Sequence, residues 1–229
     1  PLAITAGNTF ILKPSEQTPL AGLKLAEYLK EAGLPDGVFN VVNGAKTIVE
    51  ALCDHLDIKA VAFVGSSNVA KIVYNRCSQN SKRSLCLGGA KNHMIVVPDA
   101  DTDSTAKGLL ASSMGSAGQR CMAASVAVGV ANIDHIIEQL VEEAKNFKLG
   151  VDMGTIISKN ALDRITGYID EAEKMGAKIL VDGRDIPRPV EYENGYWLGA
   201  TILDGVDPEW PSAKEEIFGP VLSIIRSDT

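Results

Sequence analysis

The chain has 229 residues, of which 45% are hydrophobic and 22% charged, and its net charge at pH 7 is −7. This composition is typical of a globular protein that buries a sizeable core, as one large domain or as parts of two. The acidic balance, without a long basic run, argues against nucleic acid as the main partner. The longest apolar runs, such as residues 60–65, are far too short to span a membrane.

The cysteine and histidine pattern predicts neither a metal site nor a disulfide framework. The four cysteines have no CxxC spacing, and the three histidines do not cluster with them along the sequence. A reducing compartment suits this pattern, either the cytoplasm or, in a eukaryote, the mitochondrial matrix. The relevant residues are Cys53, Cys77, Cys86, Cys121, His55, His93 and His135.

Both ends of the sequence look like positions inside a longer protein. The chain begins without Met, its first residues are typical of a helix interior, and no signal-peptide pattern is present. A strand is predicted at residues 221–225, only four residues before the end. The sequence is therefore expected to be the middle part of a larger chain.

The first part of the chain alternates predicted strands and helices. Apolar runs predict strands at residues 9–12, 38–42 and 60–64, and helical periodicity predicts helices at 18–32, 45–55 and 66–80. Units of this length are expected for parallel βαβ crossovers. This part is therefore predicted to be a doubly wound α/β sheet.

The pattern changes phase after Gly88 and Gly89. The following sequence predicts strands at residues 94–97, 124–130, 178–181 and 221–225, with helices at 101–113, 133–147 and 160–175. Residues 183–195 are polar, contain two prolines and are predicted to form a loop or hairpin. We place the domain boundary so that residues 1–86 form one domain and 87–229 the other.

The segment around Cys121 is the most informative for chemistry. It reads Gly-Ser-Ala-Gly-Gln-Arg-Cys-Met-Ala from Gly115 to Ala123. Small residues before a thiol let backbone N–H groups approach a substrate, and a thiolate is a strong nucleophile near positive charge such as that of Arg120. On these residues alone, a buried inert cysteine is the more common outcome.

Five ordered motifs resemble those of aldehyde dehydrogenases. Gly-Gln-x-Cys resembles the nucleophile motif of that family, and four further stretches match in order: NTFILKPSE, GLPDGVFNVVNG, FVGS and EIFGPV. The resemblance covers essentially the whole chain. It implies the C-terminal half of a Rossmann-like NAD-binding domain at 1–86, and at 87–229 a catalytic thiol domain whose C-terminal part is missing. It also implies a small-molecule aldehyde as substrate and a homo-oligomer, dimer or tetramer.

The resemblance implies Cys121 as the nucleophile, and it implies NAD-binding roles for Lys13, Glu16, Gln17, Gly65, Ser66, Gly88, Glu216 and Phe218. Lys13 and Glu16 could bracket the two ribose hydroxyls, although a surface ion pair is the alternative. The start of a helix at Ser66 suits a pyrophosphate, although a plain helix cap is the alternative. Glu16 disfavours NADP, since its carboxylate would repel a 2′-phosphate.

The variants GAKNH and GQRCMA resemble the methylmalonate-semialdehyde branch of the family, which transfers its acyl product to CoA as co-substrate. Hydrolytic members carry a glutamate directly before Leu-Gly-Gly as general base, and Cys86 stands there in this chain. A thiol cannot replace that carboxylate near neutral pH, so acyl transfer to CoA is favoured over hydrolysis. Cys86 itself is expected to be a packing residue.

Several alternatives remain open from the sequence. Arg120 could bind a substrate carboxylate, form a structural ion pair or activate Cys121. The asparagine that completes the family's oxyanion hole lies upstream of this chain, and losing one such donor costs about 10²–10³ in rate. Weak or no activity is expected if the 229 residues are the whole molecule. The competing readings are a hydrolytic, CoA-independent enzyme, an inactive fragment that retains the fold, and a nucleotide-binding protein without redox chemistry.

Overall fold

The computed structural model describes residues 1–228, and the chain divides into two compact units, Pro1–Gly89 and Ala90–Thr229. The observed division lies three residues after the predicted one, because Cys86 and Leu87 belong to the last strand of the first unit. None of the helices in this described range is long and apolar enough to cross a membrane.

Unit 1, Pro1–Gly89, contains four short strands that pair in parallel. Strand β1 pairs with β2 and β3 pairs with β4, and the two pairs are separate two-stranded sheets. A cavity of about 980 Å³ is lined by residues of both pairs, among them Phe10, Ile11 and Val61. The elements are α1 (Leu2–Thr5), β1 (Phe10–Leu12), α2 (Leu20–Glu31), β2 (Phe39–Val41), α3 (Lys46–Asp54), β3 (Ala60–Val64), α4 (Ser67–Gln79) and β4 (Arg83–Leu87).

The buried core of unit 1 is small and rich in thiols. Cys53, Val73 and Cys77 are buried together, and half-buried Cys86 packs against them. Burial raises the pKa of Cys77 to about 11 and also raises the pKa of Cys86 above its usual value, because a thiolate is poorly solvated there. These thiols therefore act as apolar packing groups.

Unit 2, from Ala90 onward, is built on one five-stranded sheet in the order β5-β6-β9-β8-β7. The first four strands are mutually parallel and β7 is antiparallel to β8. The elements are β5 (Asn92–Val96), α5 (Thr102–Met114), β6 (Ala124–Val130), α6 (Asp134–Lys145), α7 (Lys159–Met175), β7 (Lys178–Val181), β8 (Thr201–Asp204), α8 (Pro211–Lys214) and β9 (Val221–Ser227).

The hydrophobic core of unit 2 lies on both faces of this sheet. Strand β9 is buried from Val221 to Ile225, because it lies between β6 and β8 and is covered on each face. Such doubly covered parallel strands are near-continuous apolar runs. This rigid centre fixes the positions of the segments that enter β6 and β9.

The α/β class with parallel strands, predicted from the sequence, is confirmed. Three elements were not predicted: β4, β8 and α8. Strand β4 begins with the polar residues Arg83 and Ser84, so its apolar run is only three residues long and gives a weak strand signal. The elements β8 and α8 have only four residues each. Residues 183–195 form a loop with one 3₁₀ turn at Val190–Tyr192 rather than a hairpin.

Candidate active site

Three chain segments converge at one edge of the unit 2 sheet. Strands β5, β6 and β9 are neighbours and run in parallel, so the segments that enter them meet at the same edge. A cavity of about 20 Å³, roughly the room for one water molecule, is lined there by Asn92, Arg120, Cys121, Glu216 and Phe218. The structure thus brings together the four site residues predicted for unit 2, which are Arg120, Cys121, Glu216 and Phe218.

A strained turn delivers the chain to Cys121. Ser116, Ala117 and Gly118 have φ angles of 55°, 53° and 65°, which is the left-handed region. A Cβ atom on Gly118 would lie 2.0 Å from the carbonyl oxygen of Gly219, so only glycine fits. The nucleophile turn therefore lies directly against the backbone of Gly219, the residue that follows Phe218. Strain of this kind typically marks functional sites.

Cys121 lies in a turn held at both ends. The N–H of Ala123 donates to the carbonyl of Arg120 at 3.1 Å, and Cys121 is exposed. Gln119 fixes the entry to this turn: its Nε2 donates to the carbonyl of Thr155 at 3.1 Å, and its Oε1 accepts from the N–H of Ile157 at 2.9 Å. An exposed thiol on a fixed turn is accessible to an electrophile.

Arg120 reaches back to the end of α5. Its Nη2 donates to the carbonyls of Ala111 and Ser112, each at 2.8 Å. A Cβ atom on Gly115 would lie 2.6 Å from the same Nη2, so Gly115 leaves the space that the guanidinium crosses. The carbonyl of Ala111 also accepts from the N–H of Gly115, the C-cap residue of α5, so this nitrogen reinforces the last turn of the helix.

A hydrogen bond from Arg164 anchors the Glu216–Phe218 segment. Arg164 Nη1 donates to the carbonyl of buried Ile217 at 2.6 Å. Phe218 has a φ of 51°, and the residue is 38% exposed. The anchoring of Ile217 keeps its two neighbours, Glu216 and Phe218, at the rim of the small cavity beside Cys121.

Lys91 is a buried cation in the segment that enters β5. Its Nζ atom is shielded from solvent and makes no hydrogen bond. Burial lowers the pKa of Lys91 to about 8, while the carboxylates of Glu216 and Glu215 oppose that shift. Lys91 is not among the predicted site residues, and its one signal in the sequence is the GAKNH variant.

The predicted ribose-binding pair lies in unit 1. Lys13 Nζ is 3.5 Å from Glu16 Oε2, and it also donates to the carbonyls of Pro14 and Gly44. Glu16 is exposed, and hydrogen bonding to its own backbone N–H and to Lys13 lowers the pKa of its carboxyl group. The pair is therefore formed, with an ionised carboxylate facing solvent.

Gly65, Ser66 and Gly88 converge at the start of α4. Ser66 is the N-cap residue, and its side chain makes no capping hydrogen bond. The N–H of Gly65 donates to the carbonyl of Leu87 at 3.2 Å, and a Cβ atom on Gly88 would lie 2.8 Å from Ser67 Oγ. The start of α4 thus lies directly against two glycine-containing segments. Exposed Gln17 lies in the turn after Lys13.

Gly118→Ala is expected to lower the free energy of unfolding of unit 2 by about 1–3 kcal/mol, because alanine adds left-handed strain and a clash with Gly219. Gly108→Ala is the matched control, since Gly108 lies in α5 with open space around it and alanine should stabilise the helix by about 1 kcal/mol. Both tryptophans, Trp197 and Trp210, lie in unit 2, so urea unfolding followed by tryptophan fluorescence measures both variants. Equal effects of the two substitutions would contradict the close contact.

Lys91→Met is expected to change how stability depends on pH. The folded-state pKa of about 8 lies below the ordinary 10.5, so the unfolded chain binds more protons between these values. The destabilisation by buried Lys91 is therefore complete below pH 8 and is relieved as pH rises to 10.5, by up to the order of 3 kcal/mol. Unfolding free energies at pH 7–10.5 should rise for the parent relative to Lys91→Met. Exposed Lys174→Met, on α7, is the control; identical slopes for the parent and Lys91→Met would refute the assignment.

Comparison with known proteins identifies the family of the chain. The sequence profile of the aldehyde dehydrogenase family matches residues 1–229. The chain is 48% identical over 235 residues to the mitochondrial, acylating methylmalonate-semialdehyde dehydrogenase of Arabidopsis thaliana, covering 100% of the chain and 39% of that relative. It is 46% identical to the malonate-semialdehyde dehydrogenase of Pseudomonas aeruginosa, covering 99% of the chain and 47% of that relative.

Solved structures agree with the sequence relatives. A protein from Sinorhizobium meliloti 1021, assigned as a methylmalonate-semialdehyde dehydrogenase and complexed with NAD, superposes with a TM-score of 0.94 at 48% identity. The match covers 99% of the chain and 48% of that structure. The chain thus spans about half the length of the proteins it matches. With a match over its whole length, five ordered motifs and an exposed cysteine on a strained turn, the chain belongs to the aldehyde dehydrogenase family.

Proposed function

We propose that this chain carries the nucleophile of an NAD-dependent dehydrogenase that oxidises malonate or methylmalonate semialdehyde and transfers the acyl group to CoA. The observation that carries the proposal is the exposed Cys121 thiol in one small cavity with Arg120, Glu216 and Phe218. The substrate class follows relatives of those names at 46–48% identity.

We further propose that unit 1 is the nucleotide-binding part and unit 2 the catalytic part. The residues of unit 1 fit a dinucleotide, because the ionised Glu16 suits ribose hydroxyls and the start of α4 offers backbone N–H groups to a pyrophosphate. We assign NAD-binding roles to three further residues: Gln17, next to Glu16, and Gly65 and Gly88, beside the start of α4. In unit 2, Glu216 would hold the nicotinamide ribose and Phe218 would flank the ring. Bound NAD would supply the hydride acceptor.

The chemistry of the chain's own residues begins at Cys121. Its thiolate attacks the aldehyde carbon to give a thiohemiacetal, and the backbone N–H of Cys121 donates to the developing oxyanion. Loss of hydride from this carbon leaves a thioester on Sγ. The Ser116–Gly118 strain and the Gly118–Gly219 contact keep Sγ beside Glu216 and Phe218 throughout.

The packing of Cys86 supports release of the acyl group to CoA. Cys86 lies against the buried Cys53 and Cys77, and burial raises its pKa, so it supplies no base for a water molecule. The thiol of CoA is a nucleophile of its own. Its sulfur attacks the thioester carbonyl and gives up its proton, and Cys121 Sγ leaves as thiolate. The C–C bond to the substrate carboxylate breaks to release CO₂, and the α-carbon keeps the electron pair and takes up a proton.

We also propose that the protein forms a homo-oligomer, a dimer or tetramer, and works in the cytoplasm or mitochondrial matrix. Unit 1 exposes large apolar side chains such as Val64 and Leu85, which are 68% and 61% exposed and suit coverage by further protein. The Arabidopsis thaliana relative is described as mitochondrial.

In the full-length protein that contains this chain, NADH formation with malonate semialdehyde is expected to require Cys121 and CoA, and Cys121→Ala should abolish it. Cys86→Ala is the matched control, since the packing role predicts retained CoA dependence. Free acid formed without CoA would establish the hydrolytic alternative. Labelling of Cys121 by iodoacetamide should be slowed by NAD; no protection would identify an inactive fragment that retains the fold.

Arg120→Lys separates the roles of Arg120. If its guanidinium pairs with the substrate carboxylate, KM for malonate semialdehyde should rise about tenfold or more, because lysine cannot form the bidentate fork. KM for an uncharged aldehyde of similar size should change little. Equal effects on both aldehydes would indicate that Arg120 acts only through the carbonyls of Ala111 and Ser112.

A further inference from the structure

We propose that Asn92 is a positioning residue that holds the turn of Cys121 in its reactive conformation. Asn92 belongs to the GAKNH variant at Gly89–His93, and the proposed chemistry gives it no task. The proposal rests on the proposed function in one respect, that Cys121 is the nucleophile.

The side-chain amide of Asn92 bridges two carbonyls of the nucleophile turn. Its Nδ2 donates to the carbonyl of Cys121 at 2.8 Å and to the carbonyl of Ala123 at 2.9 Å. Both lengths are those of good N–H···O hydrogen bonds, and together they use both protons of the amide. Asn92 also lines the small cavity of Cys121.

The backbone closes this turn with a single hydrogen bond, and the two hydrogen bonds from Asn92 add to it. The Arg120–Ala123 turn pairs the carbonyl of Arg120 with the N–H of Ala123. The carbonyl of Cys121 belongs to the next peptide plane, and fixing that plane fixes the ψ angle of Cys121. The orientation of the Cys121–Met122 peptide plane relative to the Cα–Cβ bond that carries Sγ is therefore set from the segment that enters β5.

The position of Asn92 explains how one side chain reaches both carbonyls. Asn92 opens β5 and pairs with Ala124 of β6, with a register shift between Asn92 and His93. Ser125 Oγ donates to the backbone carbonyl of Asn92 at 3.3 Å, which holds the main chain in place. Because the backbone is seated by the ladder, the short amide projects over the turn with little freedom. An aspartate in this position would offer oxygens to the two carbonyls and could donate to neither.

The test measures the rate of Cys121 alkylation by iodoacetamide on this same chain, site by site by mass spectrometry. The variants are Asn92→Ala and Asn92→Asp, and the matched control is Asn146→Ala, which removes an amide-to-carbonyl hydrogen bond to Glu142 at 3.1 Å at the end of α6. Melting temperature is recorded for each. Alkylation needs neither NAD nor aldehyde, so the test can succeed even where the proposed function fails.

Asn92→Ala should slow alkylation at pH 7 by about two- to tenfold, since two carbonyl dipoles beside the thiolate lose their donor. Asn92→Asp should slow it further and move the midpoint of the pH–rate profile upward, because it adds negative charge. Asn146→Ala should leave the rate unchanged whatever its melting temperature. Variants that melt earlier but alkylate at the parent rate, or that alkylate faster, would overturn the proposal. If one variant fails to fold, the other decides.

Discussion

The parallel pairing of β5, β6 and β9 is the constraint on which the candidate site depends. Parallel neighbours place their entering segments at one edge, and here those segments carry Asn92, Cys121 and Glu216. They are far apart in sequence, and only the ladder register brings them within reach of one another. The buried run of β9 makes this register hard to slip, because a shift of one residue would turn Leu222 and Ile224 out of their packing.

Close backbone contact converts that coarse placement into fixed geometry. Gly118 lies so near Gly219 that no side chain fits between them, and the left-handed conformations of Ser116 and Ala117 hold the turn against it. Each such conformation costs about 1–3 kcal/mol when the surroundings do not compensate for it. The compensation comes from hydrogen bonds that reach the turn from outside, through Gln119, Arg120 and Asn92.

Much of this arrangement could be predicted from sequence, and the remainder has a physical reason. Helical and strand periodicity located the long elements, whereas β4 and β8 lack enough apolar residues in a row to be recognised. The motif order identified Cys121, Glu216 and Phe218, and the structure places them together. Asn92 and Lys91 could not be assigned, because their importance lies in contacts across 29 or more residues that no local pattern encodes.

The thiols of unit 1 are buried or half-buried, whereas the Cys121 thiol of unit 2 is exposed. This difference bears on how an acyl group would leave Cys121. Cys53, Cys77 and Cys86 are drawn into a small apolar core, where burial raises the pKa of Cys77 and Cys86 and suppresses their reactivity. Cys121 alone among the four lies exposed, on a turn held by side chains from several segments. Cys86, which stands where hydrolytic members of the family carry a general base, is thus a packing residue. A thioester formed on Cys121 would persist until a nucleophile that needs no such base arrives, which is the property of a thiol co-substrate.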